Sequence, residues 1–486
     1  MTFNSYIFIL LFLPISLIGY FLLNRITKLP VGKVFLLGMS LWFYGYFNYW
    51  YLPIIGISIL FNFGLGRLFL RESLKGTARK WLLFGGVLAN VGLLFYYKYY
   101  DFFIGNLNAL FQTDFSLIHV MLPLGISFFT FQQIAYIVDS YRGTTSRYAI
   151  LDYALFVSFF PHLVNGPIVL HSEMIPQYEN PALRRFNMDN FAKGITAFSR
   201  GLAKKVLIAD VFGAAVNWGY ANVAQLDTTN AVLVMLAYTF QIYFDFSGYC
   251  DMATGIGLMF NIRIAQNFNS PYKALTIADF WKRWHITLTR FFTTYIYIPL
   301  GGNRRGKWRT YLNMFIVFFV SGIWHGANWT FILWGALHGL AVVINRMFKE
   351  KINHVHPALS WMLTFGFVNV AWIYFRAPTV GTANQIVRSI FKLEFGPIAD
   401  GIRSAFVLPE FTLVRRLLHI QWPWFETFLM GAAFLLAFWL ILGWKNTNEK
   451  LENFRPGVGV AVSNAVLLTW AILSFSGVST FLYFNF

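Results

Sequence analysis

LNMFIVFFVSGIWHGANWTFILWGALHGLAVVI, residues 312–344, contains no Lys, Arg, Asp or Glu and two histidines, His325 and His338. Such a run exceeds the roughly 20 apolar residues that cross a ~30 Å hydrocarbon core. It therefore reads as chain embedded in a membrane. A polar ionisable group at that depth costs on the order of several kcal/mol when it lacks a partner. His325, inside SGIWHGANW (321–329), is thus a functional candidate by default. Taken along one continuous helix, His338 lies about 19 Å further on, which makes it a packing residue or a separate lining group.

Composition extends the membrane reading to the whole chain. The sequence is 57% hydrophobic and 12% charged, against about 25% charged in ordinary soluble domains. Aromatic residues reach 20%, with 55 Phe, which suits lipid-facing helices and interfacial Trp and Tyr belts. Strand-like alternation in segments of about ten residues is absent, which argues against a barrel. Residues 5–23 lack a basic n-region and a small-residue cleavage site, so they read as a retained first span. The single cysteine, Cys250, excludes a disulfide framework and a multi-Cys metal site. A net charge of +18 would suggest nucleic acid in a soluble protein. Here the excess of cations in cytoplasmic loops accounts for most of it.

That excess also orients the chain. Arg25, Lys28 and Lys33, then Arg67, Arg71, Lys75, Arg79 and Lys80, mark two cytoplasmic loops and put the N-terminus outside. Spans follow at 34–50, 52–66 and 81–97, with 98–117 external and 118–138 returning. A full crossing at 151–170 would place the basic segment 184–205 outside. Pro161, Gly166 and Pro167 interrupt it, so it reads as a re-entrant hairpin, broken backbone being tolerated where protein or a water-filled cavity surrounds it. Further crossings fall at 206–220, 231–258, 311–327, 328–345, 359–376, 427–444 and 463–482. The stretch 261–310, with nine basic residues and one acid, is cytoplasmic, and 377–425 is an external loop. The expected fold is all-α and polytopic, with about eleven transmembrane helices plus re-entrant segments. It forms a single domain over 1–486.

Chemistry-bearing residues concentrate between 240 and 340. YFDFSGYCDMATGIG (243–257) puts Asp245 and Asp251 in an apolar span, and FWKRWHITLTR (280–290) sets His285 beside Lys282, Arg283 and Arg290. YIYIPLGGNRRG (295–306) ends in Arg304 and Arg305. The pattern has no P-loop, no G-x-S-x-G elbow and no H-E-x-x-H zinc pair, so no metal site is expected. What remains is histidine chemistry near a basic face. Desolvation disfavours imidazolium, and a neutral imidazole can take a proton from a hydroxyl, a contribution of about 10²–10⁴-fold. Cations at a cavity mouth suit the phosphates of a carrier such as coenzyme A. These parts favour acyl transfer from a cytoplasmic thioester to an alcohol. A flippase for a lipid-linked sugar, with the histidines as a proton relay, and a non-catalytic scaffold of a polysaccharide synthase are the alternatives. No internal repeat of the transporter kind is evident, and a scaffold gives no reason to bury His325.

LPLGISFFTFQQIAYIVDSYRG (122–143), FFPHLVNGPI (159–168), GLAKKVLIAD (201–210), NFNSPYK (267–273), SGIWHGANWTFILWGALHG (321–339) and FVNVAWIYFRA (367–377), with the three segments above, resemble the membrane-bound O-acyltransferase family. Within it they are most similar to the bacterial polysaccharide O-acetyltransferases of the alginate type. The resemblance covers a core at 1–376, while the helices of 377–486 match loosely. It implies a ring of helices around a central funnel or channel in the cell (inner) membrane. It implies acetyl-CoA, an acetyl thioester, as the donor, with no tightly bound cofactor and no nucleic-acid partner. The implied acceptor is a polysaccharide, or an esterase-like periplasmic or extracellular partner that passes the acetyl group on.

The resemblance also implies roles. His325, in the W-H-G motif, would be the general base or handle the acyl group directly. His285 would position the oxyanion or the acceptor. Arg304, Arg305, Lys282 and Arg283 are candidates for the donor phosphates. Asp245, Asp251, Trp324, Asn328 and His162 are candidates for lining a channel, with internal hydrogen bonding or packing as the competing reading for each. One departure stands out. Relatives read W-L-R-D-Y before I-P-L-G-G, whereas this chain has Phe291, Phe292, Thr293, Thr294 and Tyr295, so two threonines replace an Arg–Asp pair.

Overall fold

The computed structural model of the chain describes residues 1–27, 30–419, 422–477 and 481–482. Lys28 and residues 478–480 of the last expected span lie outside the described residues. Helices and turns make up the described residues, and no strand occurs among them. Seven helices are long and apolar enough to cross a bilayer: Phe8–Ile26, Tyr51–Phe69, Gly76–Phe111, Thr228–Met259, Trp329–Met347, Pro357–Arg376 and Phe425–Leu442. Val31–Gly45 and Val458–Leu473 are shorter apolar helices. Other expected crossings fall on Ile126–Arg142, which buries Gln132 and Gln133, and on Lys307–His325, which begins with Lys307 and Arg309. Large apolar side chains such as Leu10, Ile18, Ile57, Leu60 and Leu435 point outward. In water such a surface would be an aggregation liability, and it fits lipid contact.

Two stretches expected to lie outside the membrane contain helix. Residues 98–117 were expected to be external, yet helix continues from Gly76–Leu94 through a π-turn at Phe95–Tyr99 into Tyr100–Phe111. No proline interrupts it, and the helix stops only where Gln112 turns left-handed at φ 53°. The expected loop 377–425 instead holds Val380–Phe391, Asp400–Ser404 and Pro409–Leu417. The Thr379 side chain caps the first of these by accepting from the Thr382 N–H at 3.1 Å. The division between the crossings expected at 311–327 and 328–345 falls within 321–329. Lys307–His325 ends at His325, Gly326 is extended, and Asn328 caps Trp329–Met347.

The reading of 151–170 as a non-crossing hairpin agrees with the helices found. Ile150–Ser158, Phe160–Leu163 and His171–Glu179 are each far too short to span a bilayer. The turn between them is held by Gly166, where a Cβ would lie 2.2 Å from the His162 Cα.

The chain forms two compact units, each assembled from three stretches. The first comprises Met1–Phe198, Cys250–Gln266 and Arg290–Tyr295. Its core includes Phe8, Phe12, Phe43 and Phe160, with the Phe12 and Phe160 rings edge-to-face at 5.2 Å. Polar side chains tie its helices together. Asn62 and Asn90 exchange amide hydrogen bonds of 3.1 and 2.7 Å, and Lys33 forms a buried ion pair with Asp152. Such pairs satisfy groups that would be costly to leave bare in hydrocarbon.

The second unit comprises Ser199–Tyr249, Asn267–Thr289 and Ile296–Phe486. At its centre the Lys307–His325 and Trp329–Met347 helices form a hairpin. Its two helices approach through Gly322 and Gly335, where a Cβ on Gly335 would lie 2.6 Å from the Phe318 carbonyl oxygen. Trp334 of this hairpin stacks on Trp372, which meets Trp284, and all three are almost wholly buried.

Candidate active site

His285 occupies a backbone conformation that few side chains adopt. Its φ is +47°, between the end of the Ile277–Arg283 helix and the start of Ile286–Phe292. Left-handed backbone on a non-glycine residue costs on the order of 1–3 kcal/mol and persists only where the surroundings impose it. Here the 267–269 segment imposes it. The Ile286 N–H donates to the Asn267 carbonyl at 3.0 Å and the Asn269 N–H to the Arg283 carbonyl at 2.9 Å.

The Asn267 side chain then settles the protonation pattern of the ring. Its Oδ1 accepts from the Thr287 backbone N–H at 3.2 Å and from the Thr287 hydroxyl at 2.9 Å. An N–H can only donate, so the Asn267 atom at this point is the oxygen. The His285 Nδ1 lies 3.1 Å from that same oxygen and must carry a proton. In a neutral ring the lone pair is left on Nε2, which is buried with no hydrogen-bond partner among the described residues. His285 is thus fixed as an acceptor at Nε2.

Around it the unit assembles aromatic edges. The Phe246 ring meets His285 at 4.8 Å and 82°. Trp324 stands between two imidazoles, with ring centroids 6.3 Å from His285 and 4.9 Å from His325. His325 ends its helix against Trp334 at 5.1 Å and Phe375 at 5.0 Å. The helix break at Gly326 alters the relation of His325 to His338. Because the chain doubles back, Trp334 touches both rings, at 5.1 Å from His325 and 4.8 Å from His338. Separation along a continuous helix does not apply. His338 accepts at Nδ1 from the Trp281 indole N–H at 3.2 Å, so a neutral His338 carries its proton on Nε2. Its tautomer is the reverse of that of His285.

The remaining candidates fall into three groups. Asp245 is buried in an ion network: the Lys205 ammonium donates to it at 2.7 Å and to Asp210 at 2.8 Å, and the Leu482 N–H donates to its other oxygen at 3.0 Å. Asn328 accepts from the Thr330 N–H at 3.0 Å and donates to the Pro378 carbonyl at 2.9 Å, holding the tip of the hairpin. His162 and Asp251 belong to the first unit, where both are buried and Gln132 lies 3.2 Å from the His162 Nδ1.

The donor-phosphate candidates are peripheral. Lys282, Arg304 and Arg305 are exposed, and Arg283 holds the Asp279 carboxylate with two bonds of 3.0 Å. Next to Arg304 and Arg305 in sequence, a cleft of about 670 Å³ is lined by Lys307, Arg346, Lys349 and Lys351. Asn267 and Trp334 were not singled out from sequence. NFNSPYK marked the first only as part of a motif, and its link to Thr287 spans 20 positions with no periodicity to reveal it.

Comparison with known proteins gives this site its class. A profile of the membrane-bound O-acyltransferase family matches residues 143–378, a stretch that holds His162, His285 and His325. A peptidoglycan O-acetyltransferase of Helicobacter pylori is 40% identical over an alignment covering 100% of this chain and 98% of the relative. A probable alginate O-acetylase, AlgI, of Pseudomonas aeruginosa is 39% identical over 81% of this chain and 75% of its own. A teichoic acid D-alanyltransferase of Bacillus subtilis is 28% identical over 50% of this chain. The chain belongs to the membrane-bound O-acyltransferase family and is an acyltransferase enzyme of the membrane. The first of these alignments runs through residues 378–486 as well, so the C-terminal helices are shared with a relative and not specific to this chain.

Proposed function

We propose that this enzyme moves acetyl groups from acetyl-CoA on the cytoplasmic side to hydroxyls of a cell-surface or exported polysaccharide, with its N-terminus outside the inner membrane. Whole-length similarity to a peptidoglycan O-acetyltransferase favours peptidoglycan as the final acceptor. The acetyl group reaches it directly or through an esterase-like partner beyond the membrane. The donor's phosphates meet the cationic cleft of Lys307, Arg346, Lys349 and Lys351, with Arg304 and Arg305 flanking it.

The observation that carries this reading is the pair of buried imidazoles on either side of Trp324. With Nδ1 committed to Asn267, the neutral His285 ring has only an acceptor to offer. That favours its holding the acceptor hydroxyl over its donating to an oxyanion. His325 is the residue at the acyl group. In the transfer, the hydroxyl oxygen attacks the thioester carbonyl carbon while an imidazole takes its proton. The carbon–sulfur bond breaks, and the CoA thiolate leaves and recovers a proton. A base placed this way contributes about 10²–10⁴-fold.

The test compares cells carrying the wild type, His325→Ala and His285→Ala at matched protein level. Cell-surface O-acetyl content and CoA release from acetyl-CoA by the purified protein are both measured. Both variants are expected to lose acetylation by about 100-fold or more. Unchanged acetylation in His325→Ala overturns its role. A wild-type protein that moves a lipid-linked sugar without consuming acetyl-CoA supports the flippase reading instead.

A further inference from the structure

Within the second unit a cavity of about 250 Å³ has two kinds of wall. Leu440 and Leu467 line one part and belong to the Phe425–Leu442 and Val458–Leu473 helices, both of which turn large apolar side chains outward. Arg200, Lys204, Lys445 and Lys450 line another part. The two kinds of wall thus join in one space an apolar surface continuous with lipid-facing helices and a rim of four cations.

The rim is built and not a chance gathering of loose side chains. The Lys450 ammonium sits 3.4 Å above the Trp444 ring, and the Lys273 ammonium donates to the Trp444 carbonyl at 3.1 Å. The Asn446 amide donates to Asn269 at 3.0 Å, to Ser270 at 3.3 Å and to Glu449 at 2.7 Å, fixing the segment that carries Lys445. Burial, together with the charges of Arg200 and Lys204, pushes the Lys450 ammonium down to about 8. Glu449, beside Lys450 in sequence, is engaged by Asn446. Like charges held this close raise one another's energy, and an anion seated among them would lower it. The basic segments concerned, 184–205 and 445–455, both read as cytoplasmic by charge.

We propose that this cavity binds an anionic phospholipid from the cytoplasmic leaflet, its phosphate among Lys445, Lys450, Arg200 and Lys204 and an acyl chain along Leu440 and Leu467. The site stands apart from the acyl-transfer chemistry and uses none of its residues. Phosphate is also present on coenzyme A, and only the apolar wall distinguishes the two sources, so the test must separate them.

Full-length protein in nanodiscs of phosphatidylcholine is titrated with phosphatidylglycerol and followed by native mass spectrometry. Inorganic phosphate and coenzyme A serve as soluble competitors. Phosphatidylglycerol is expected to be retained over phosphatidylcholine. Its binding should weaken about fivefold for each of Lys445→Gln and Lys450→Gln, in line with the share of one cation in binding an anionic lipid. It should persist in Lys450→Arg. Melting curves confirm that the neutral variants fold, and Lys450→Arg serves as the folded control. Equal retention of the two lipids, or binding indifferent to both Gln variants, overturns the proposal. So does displacement of phosphatidylglycerol by coenzyme A at these residues, which would assign the rim to the donor.

Discussion

His171 in the first unit and His285 in the second are equally buried, yet their rings are used in opposite ways. The Tyr148 hydroxyl lies 2.9 Å from the His171 Nδ1, and the Asp139 carboxylate lies 3.2 Å from its Nε2. Asp139 also accepts from the Tyr295 hydroxyl at 2.7 Å. Every polar atom of that imidazole is occupied, so it can hold helices together but offers nothing to a substrate. His285 has one nitrogen committed to Asn267 and the other without a partner among the described residues. A buried polar atom left unmade costs on the order of 1–3 kcal/mol. Together with the left-handed backbone of His285, that cost is a reason to expect function at this residue. Burial of a histidine is therefore uninformative until both nitrogens have been accounted for.

Breaking the open ring should have the largest effect. His285→Ala and His325→Ala are each expected to lower acetyl transfer per folded protein by about 100-fold or more. Radiolabelled acetyl transfer by purified protein measures this. Next comes the positioning of His285. Asn267→Ala removes the acceptor of the His285 Nδ1, a hydrogen bond worth about 1–1.5 kcal/mol, together with the two from Thr287, and releases the tautomer, so turnover should fall about tenfold. Asn267→Asp keeps an acceptor at Oδ1 and should retain more activity than Asn267→Ala. If the alanine variant is as active as the wild type, Asn267 does not position the ring.

The closed ring should respond in stability and not in chemistry. His171→Phe leaves Tyr148 and Asp139 without their shared partner and is expected to cost about 1–3 kcal/mol, read as a lower melting temperature with turnover per folded molecule preserved. Of similar size, and also confined to stability, is the hairpin contact. Gly335→Ala sets a methyl group against the Phe318 carbonyl and should destabilise by about 1–3 kcal/mol.

Charge and hydropathy made the membrane class, the long apolar helices and the broken helix of 151–170 legible, because lipid tolerates so few sequence patterns. The same signals read 377–425 as a loop, although it holds helices, and gave no sign of the helix within 98–117. Cations and polar residues there marked chain outside the hydrocarbon, but they say nothing about whether that chain is helical. His325 stood out in sequence because ionisable residues are rare in such surroundings, and His285 through the resemblance of FWKRWHITLTR to a family motif. The relation of His325 to His338 did not, since the extended residues Gly326 and Asn328 turn a distant position into a neighbour through Trp334. The Asn267–Thr287–His285 arrangement was hidden for a different reason. It depends on two short segments lying side by side, and no periodicity along the chain encodes that.

The most direct measurement is acetyl transfer from acetyl-CoA, per folded molecule, by His285→Ala and His171→Ala side by side. The half-occupied ring is expected to be the sensitive one, with His285→Ala at least about 100-fold below His171→Ala. Equal rates in the two variants would contradict the assignment of the chemistry to His285.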